Sequence, residues 1–116
     1  MYADVTKQVI TKILKYCNDI EEIINEFDED FETFSSKPKW NYSVSFALQQ
    51  IGELSKHLPA EFIKETRDNI PWRVFRDMRD MYAHEYERME LSDIWHSATI
   101  DEPVIKLFCE TYLKEN

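Results

Sequence analysis

Glycine is almost missing from this chain of 116 residues, which has one, Gly52, and only four prolines. All-β domains need such residues at their many tight turns, so the scarcity argues against an all-β fold. It favours an all-α fold built from a few long helices. The length fits one domain, residues 1–116, around a single hydrophobic core.

Long apolar runs are missing as well. None approaches the ~20 residues of a membrane-spanning helix, and Met1 is not followed by the apolar segment of a secretory signal. Cysteine is scarce: Cys17 and Cys109 stand among apolar neighbours without a metal-ligand spacing. We therefore predict reduced core thiols, not a disulfide, in a soluble cytoplasmic protein without membrane contact. The histidines share no spacing with the cysteines, so neither a metal site nor a cofactor is predicted.

Positive charge is in deficit: 14 Lys+Arg oppose 23 Asp+Glu, and the net charge is -9 at pH 7. Such a balance ordinarily argues against a nucleic-acid partner, because phosphates are bound by Lys and Arg. The distribution is uneven, however. Residues 56–79 carry 6 basic and 4 acidic side chains, whereas the segments before and after them are acidic. Only this middle segment is basic, and it ends at Arg79.

Apolar residues recur at spacings of three and four near the N-terminus, which is typical of one face of a long helix. This helix is expected to begin after Asp4, a plausible N-cap. Its stripe could be a core face or a dimer seam, and it comprises Val5, Val9, Ile13, Tyr16, Cys17, Ile20, Ile23, Ile24 and Phe27. The acidic segment 21–32 lacks the glycine and the regularly spaced ligand residues of a calcium-binding loop, so a solvated acidic face is predicted there.

The next segments favour an ordered connection over residues 31–40 and then a second amphipathic helix. Asn41 or Ser43 is expected to cap this helix, and it should end before Pro59. Gly52 lies inside it. A glycine within a helix costs roughly 1 kcal/mol relative to alanine, so its presence predicts that another backbone passes close by.

A third helix is predicted to start at residues 69–72, where a proline occupies a favourable first position. It carries Arg79 and Asp80, and His84 lies near its C-terminal end. A fourth helix follows, and Pro103 either kinks it or starts another. The whole chain is therefore expected to form four to five helices.

The stretch that ends this third helix holds the reactive side chains. Arg79 and His84 point roughly 140° apart if the helix is regular, at about 100° per residue. Either the helix breaks near His84, or the two residues meet across a twofold interface. Asp80 is different, since it shares a face with His84 at a spacing of four and can accept an imidazole N–H.

The chemistry that these residues offer is phosphodiester cleavage. Arg79 can hold a phosphate through two parallel hydrogen bonds, and His84 can transfer a proton. Together they suit the attack of a ribose 2′-OH on the adjacent phosphorus, which needs no metal. Arg76 and Arg73, about one and two turns earlier, are possible phosphate-binding residues, although pairing with nearby acids is an equal alternative.

Other candidate residues favour structural roles. His57 is expected to act at a helix end, His96 to lie on the surface and Tyr82 to pack in the core. Neither histidine is predicted to be catalytic.

Four short motifs occur in a recognisable order between about Leu48 and Trp95. They are Ile51-Gly52-Glu53-Leu54, Ile70-Pro71-Trp72-Arg73, Met78-Arg79-Asp80 through His84-Glu85-Tyr86, and Asp93-Ile94-Trp95. This set resembles the HEPN superfamily, and within it the HepT-like branch.

The resemblance implies an all-α bundle that is usually a homodimer, with Arg79 and His84 of both subunits in a shared cleft. Similar members are metal-independent endoribonuclease toxins, encoded beside a minimal nucleotidyltransferase antitoxin. By position, Arg79 and His84 would be catalytic, and Tyr86 would be the tyrosine that the antitoxin blocks by AMP transfer.

The chain departs from the commonest family pattern at Asp80, where asparagine is more frequent. An acid at this position would repel RNA phosphate, but as the partner of His84 it would support that residue, and the sequence leaves both effects open. The alternative function is a non-catalytic helical module that binds a nucleotidyltransferase partner or a nucleotide through the arginines around Arg79.

Overall fold

The fold is a bundle of helices, seen in a computed structural model that describes the backbone of residues 2–116 and the side chains of residues 5–84 and 87–116. No strand occurs in residues 2–116. The α-helices are α1 (Tyr2–Glu26), α2 (Phe31–Ser35), α3 (Pro38–Ser55), α4 (Ala60–Thr66), α5 (Trp72–Glu85), α6 (Leu91–His96) and α7 (Glu102–Glu115). The predicted all-α class is confirmed, and the two short helices α2 and α4 are additional to the predicted set.

Helix α1 begins at Tyr2, so the prediction of a start after Asp4 is wrong. Asp4 lies inside the helix, and its side chain is outside the described residues. The helix ends in the acidic segment, because Asp28 and Glu29 take positive φ angles of 52° and 57°. The amide of Glu29 bonds back to the carbonyl of Ile24 at 3.1 Å and closes the last turn.

The connection predicted over residues 31–40 contains a short helix. Asp30 caps α2, since its carboxylate accepts hydrogen bonds from the amide and hydroxyl of Thr33. Helix α3 then begins at Pro38, so neither Asn41 nor Ser43 is its cap. Proline is favourable at the first helical position, and this extends the helix beyond the expected start.

The predicted proline start of the third helix is confirmed, with α5 beginning directly after Pro71. Further along, α6 passes into a π-helical turn, Ser97–Asp101, and then into α7. Pro103 lies in the first turn of α7, where its missing N–H does not interrupt the path.

The core forms where α1 packs on α3 and α7, and α3 packs on α5. The apolar stripe of α1 is a core face, because Ile13, Cys17 and Ile20 are fully buried. Cys17 and Cys109 are free and buried, as predicted. None of the helices in the described part of the chain has the length and apolarity of a membrane span. Helix α5, which carries the reactive residues, is thus positioned by α3.

Candidate functional site

The approach of α5 to α3 depends on Gly52. A Cβ atom added there would overlap the carbonyl oxygen of Phe75 and would lie 2.7 Å from the Cβ of Arg79. No side chain fits in this space, so the predicted close passage of another backbone is confirmed. Gly52 therefore sets the position of the turn of α5 that carries Arg79.

Arg79 is held by a network that we call the surface cluster: Glu53, Lys56, Arg79 and Asp80. Its Nε lies 2.6 Å from Oε2 of Glu53, which follows Gly52 on α3. Its Nη1 donates to Oδ1 of Asp80 at 3.1 Å. The pKa of Arg79 is raised, first by this hydrogen bond and then by the charge of Glu53. The guanidinium is thus fixed at two nitrogens, yet its side chain stays 29% exposed.

Asp80 joins two cations. Lys56 Nζ donates to the same Oδ1 at 3.2 Å, so this oxygen bridges α3 and α5. The hydrogen bonds from Lys56 and then Arg79 hold the pKa of Asp80 below its usual value. Between described side chains there is no hydrogen bond from His84 to Asp80. The carboxylate is engaged by the two cations instead.

His84 is exposed near the end of α5, and the helix runs without a break through it to Glu85. Of the two arrangements that the sequence allowed, a break that redirects His84 is therefore excluded. Arg79 and His84 of one chain diverge by roughly 140° around the helix axis. Among the described side chains, none forms a hydrogen bond or an ion pair with His84.

Tyr86 opens a 3₁₀ turn, Tyr86–Arg88, directly after α5. Its side chain lies outside the described residues, and so does that of Glu85. Its proposed role as an AMP acceptor stays a prediction.

A hollow of about 460 Å³ lies between the end of α3, α4 and α5, and we call it the basic groove. Its cationic lining residues are Lys56, Arg67, Arg73 and Arg76, and its acidic ones are Asp77 and Asp80. Arg73 forms a loose pair with Asp77 at 3.6 Å, whereas Arg76 has no ion pair with any described residue. The two predicted phosphate-binding arginines thus lie together in this groove.

The roles of Glu53 and Lys56 were missed in the sequence. Glu53 stood only as part of a motif, and no local spacing links it to Arg79 on the neighbouring helix. Lys56 is 24 residues from Asp80. No local spacing indicates that contact.

The remaining histidines lie on the surface, which was predicted for His96, while the expected helix-end role of His57 stays a prediction. His57 is exposed just after α3, and His96 Nδ1 lies 3.7 Å from Asp101. Tyr82 is 7% exposed in the core. Within the described parts of the chain, no three His, Cys, Asp or Glu residues are placed to hold a metal ion.

A second group of charges, the buried cluster, consists of Glu21, Glu102 and Lys106. Lys106 Nζ donates to Glu21 Oε1 at 2.7 Å. Glu102 is 0% exposed, and neither of its oxygens has a donor among the described residues. Burial, and then hydrogen bonding with Glu21, raise the pKa of Glu102 to about 9. Glu102 is therefore neutral at pH 7 and can itself donate to Glu21.

Comparisons with known proteins agree with these motifs. The sequence profile of the family described as Ribonuclease HepT-like matches residues 13–112. A protein of Thermococcus cleftensis named "Probable ribonuclease HepT" is 36% identical over 96 residues, which cover 78% of this chain and 86% of the relative. A protein of Methanocaldococcus jannaschii named "Putative RNase MJ0125" is 31% identical over 109 residues, with coverages of 94% and 91%. No solved structure matches the chain significantly.

Proposed function

Because the chain belongs to the Ribonuclease HepT-like family, we propose that it is a metal-independent endoribonuclease with Arg79 and His84 as its catalytic residues. Residues 1–116 would form one HEPN-type domain. The observation that carries the proposal is the placement of an ordered, partly exposed Arg79 and an exposed His84 on one unbroken helix. The substrate is RNA, since the chemistry uses the ribose 2′-OH.

The proposed reaction is an in-line displacement at phosphorus. The 2′-oxygen forms a bond to phosphorus, the bond to the 5′-oxygen breaks, and the products are a 2′,3′-cyclic phosphate and a 5′-hydroxyl. Arg79 stabilises the charge on the non-bridging oxygens. His84 takes the 2′-OH proton, and water gives a proton to the leaving 5′-oxygen.

A homodimer resolves the divergence of Arg79 from His84. A second chain related by a twofold axis brings its own Arg79 towards the His84 of the first. Two exposed apolar residues of α5, Val74 and Met81, support this arrangement. They lie within about 80° of His84 around the helix axis, and they line a hollow of about 330 Å³.

The biological role that we propose is that of a toxin paired with a minimal nucleotidyltransferase antitoxin in the cytoplasm. Two free, buried thiols fit a reducing compartment. Tyr86 follows His84 by two residues, so AMP attached there would add charge and bulk beside the catalytic residue. This would block entry of RNA.

RNA cleavage in the presence of a chelator tests the proposal. Purified protein should cleave RNA, and Arg79→Ala or His84→Ala should each lower the rate by about 100-fold or more. His57→Ala is the matched control, because it removes another exposed imidazole and should leave the rate unchanged. Cleavage that persists in both site variants would refute this site.

The alternative is a non-catalytic module that binds a nucleotidyltransferase or a nucleotide. One observation favours it: Glu53 and Asp80 already neutralise Arg79 in the isolated chain. The two functions separate in the same experiment, since a module would show no cleavage at any concentration of wild-type protein.

A further inference from the structure

The basic groove concentrates positive charge on a chain whose net charge is -9. Four cationic side chains line it against two acidic ones. Arg67 and Arg76 are exposed, and neither forms an ion pair within the described part of the chain. Arg67 follows α4 and Arg76 lies on α5, so the fold brings together cations from separate elements. A surface that gathers unneutralised cations on an acidic protein is suited to an anionic ligand.

The groove leads towards His84. On an ideal helix, Arg73, Asp77, Asp80 and His84 share one face at spacings of four, three and four. The first three of these line the groove. His84 lies one turn beyond Asp80, and the distance from Arg73 to His84 along the axis is about 16 Å. A linear ligand in the groove would therefore extend to His84, where we propose that the reaction takes place.

The groove offers charge but no exposed aromatic face. Trp72 lines one wall, but it is 1% exposed, and its Nε1 donates to Thr66 Oγ1 at 2.8 Å. Nucleic-acid bases stack on exposed aromatic rings in sites that read single strands. This groove lacks that contact in its described lining, so it would bind phosphates without reading the sequence.

We propose that the basic groove binds the backbone phosphates of a single RNA strand that flanks the cleaved bond. This inference rests on the proposed function, and it adds Lys56 and Arg67 to Arg73 and Arg76. About 10 Å of α5 borders the groove between Arg73 and Asp80, which is room for about two or three phosphates at roughly 3.4 Å per nucleotide. The groove thus orients the strand, while Arg79 and His84 perform the chemistry.

The test is the binding of a fluorescent ten-nucleotide single-stranded RNA, measured by anisotropy over a range of salt concentrations. His84→Ala is the background for all proteins, so that no RNA is cleaved. Arg67→Gln with Arg76→Gln removes two groove cations. Lys12→Gln with Lys37→Gln removes two exposed cations elsewhere, and this matched control has the same net charge.

The groove variant should bind RNA roughly tenfold more weakly at low salt. The slope of log K against log salt should become shallower by about 1.4, because two phosphate contacts at ~0.7 each are lost on a single strand. The control should match its parent, and RNAs of different sequence should bind alike. Equal affinity of groove variant and control would overturn the proposal. A groove variant that loses affinity for ATP but keeps its affinity for RNA would also overturn the proposal.

The result is independent of whether the protein is a ribonuclease. If the wild type fails to cleave RNA but the groove variant still loses affinity, the groove stands and the proposed catalysis fails. If the wild type cleaves and the groove variant binds RNA like the control, the catalysis stands and the groove fails.

Discussion

The surface cluster and the buried cluster each join two helices through carboxylates and cations, with similar contact distances. Arg79 lies 2.6 Å from Glu53 in the first, and Lys106 lies 2.7 Å from Glu21 in the second. The two ion pairs are also similarly exposed, since Arg79 is 29% and Lys106 is 26% exposed. The clusters differ at the remaining carboxyl group: Asp80 is 57% exposed, whereas Glu102 has no exposed surface. Water and ligands can therefore compete for the charges around Asp80, whereas Glu102 can become charged only at the expense of the fold.

This difference separates function from stability. The side chains of the surface cluster are charged, and a phosphate can replace Asp80, which is 57% exposed, as a partner of Arg79 with little cost in desolvation. In the buried cluster a full charge on Glu102 would be costly, so the carboxyl keeps its proton. We expect substitutions in the first cluster to alter RNA cleavage and binding, and substitutions in the second to alter the free energy of unfolding.

Gly52→Ala should have the largest effect, because it displaces the helix beneath the surface cluster. The new methyl group overlaps the Phe75 carbonyl, so α5 must move together with Arg79. A shift near 1 Å should lower the cleavage rate by about 100-fold, and the overpacking should cost about 1–3 kcal/mol of unfolding free energy. Cleavage assays and urea denaturation measure both. Alanine is ordinarily the better helix former, so a gain in stability would show that the helices are not in contact there.

Glu102→Gln should stabilise the protein increasingly as the pH rises. The unfolded chain releases the proton near the ordinary value of 4.5, whereas the folded protein keeps it to about pH 9. Wild-type stability is therefore lost progressively across this window, and glutamine, which cannot ionise, avoids the loss. Urea denaturation should show near equality at pH 4 and an advantage on the order of 5 kcal/mol at pH 8, at about 1.4 kcal/mol per pH unit above the unfolded pKa.

The control for this comparison is Glu61→Gln, at an exposed position of α4. Its effect should be small at every pH. An advantage of Glu102→Gln that stays constant between pH 4 and pH 8 would mean that the buried carboxyl does not keep its proton.

Asp80→Asn should have the smallest of these effects, and it should be a gain. Removing the charge frees Lys56 and Arg79 for phosphate while keeping a hydrogen-bond acceptor. RNA should bind roughly fivefold more tightly at low salt, with less gain at high salt. Asp19→Asn is the matched control, because it removes the same charge from the exposed pair with Lys15 on α1. Weaker binding by Asp80→Asn would show that the acid supports the site.

The sequence predicted those features that follow from local periodicity. The start of α5 at Pro71, the burial of Tyr82 and the contact at Gly52 all followed from spacing and backbone chemistry. The boundaries of α1 and α3 were misplaced, because capping residues such as Asp4 and Asn41 are also tolerated inside helices. Helix propensity is a weak guide to short elements, so α2 was missed.

The charge clusters were less accessible to prediction, because their contacts join residues distant in sequence. Lys106 and Glu21 are 85 residues apart, and Glu102 was not singled out in the sequence, where only its neighbour Pro103 was considered. A π-helical turn before it changes the register of α7 and hence which residues face α1. The residues around Arg79 were found through the resemblance to a family. The side chains that bind Arg79 could be identified only once the packing of the helices was known.

The claim that Arg79 and His84 act together from two chains is tested most directly by mixing inactive variants. Arg79→Ala and His84→Ala proteins are combined under conditions of verified subunit exchange, where about half of the dimers become mixed. A mixed dimer keeps one intact Arg79 and one intact His84. We predict that RNA cleavage, lowered about 100-fold or more in each variant alone, is restored in the mixture. No recovery in verified mixed dimers, or cleavage by a strictly monomeric wild type, would contradict the account.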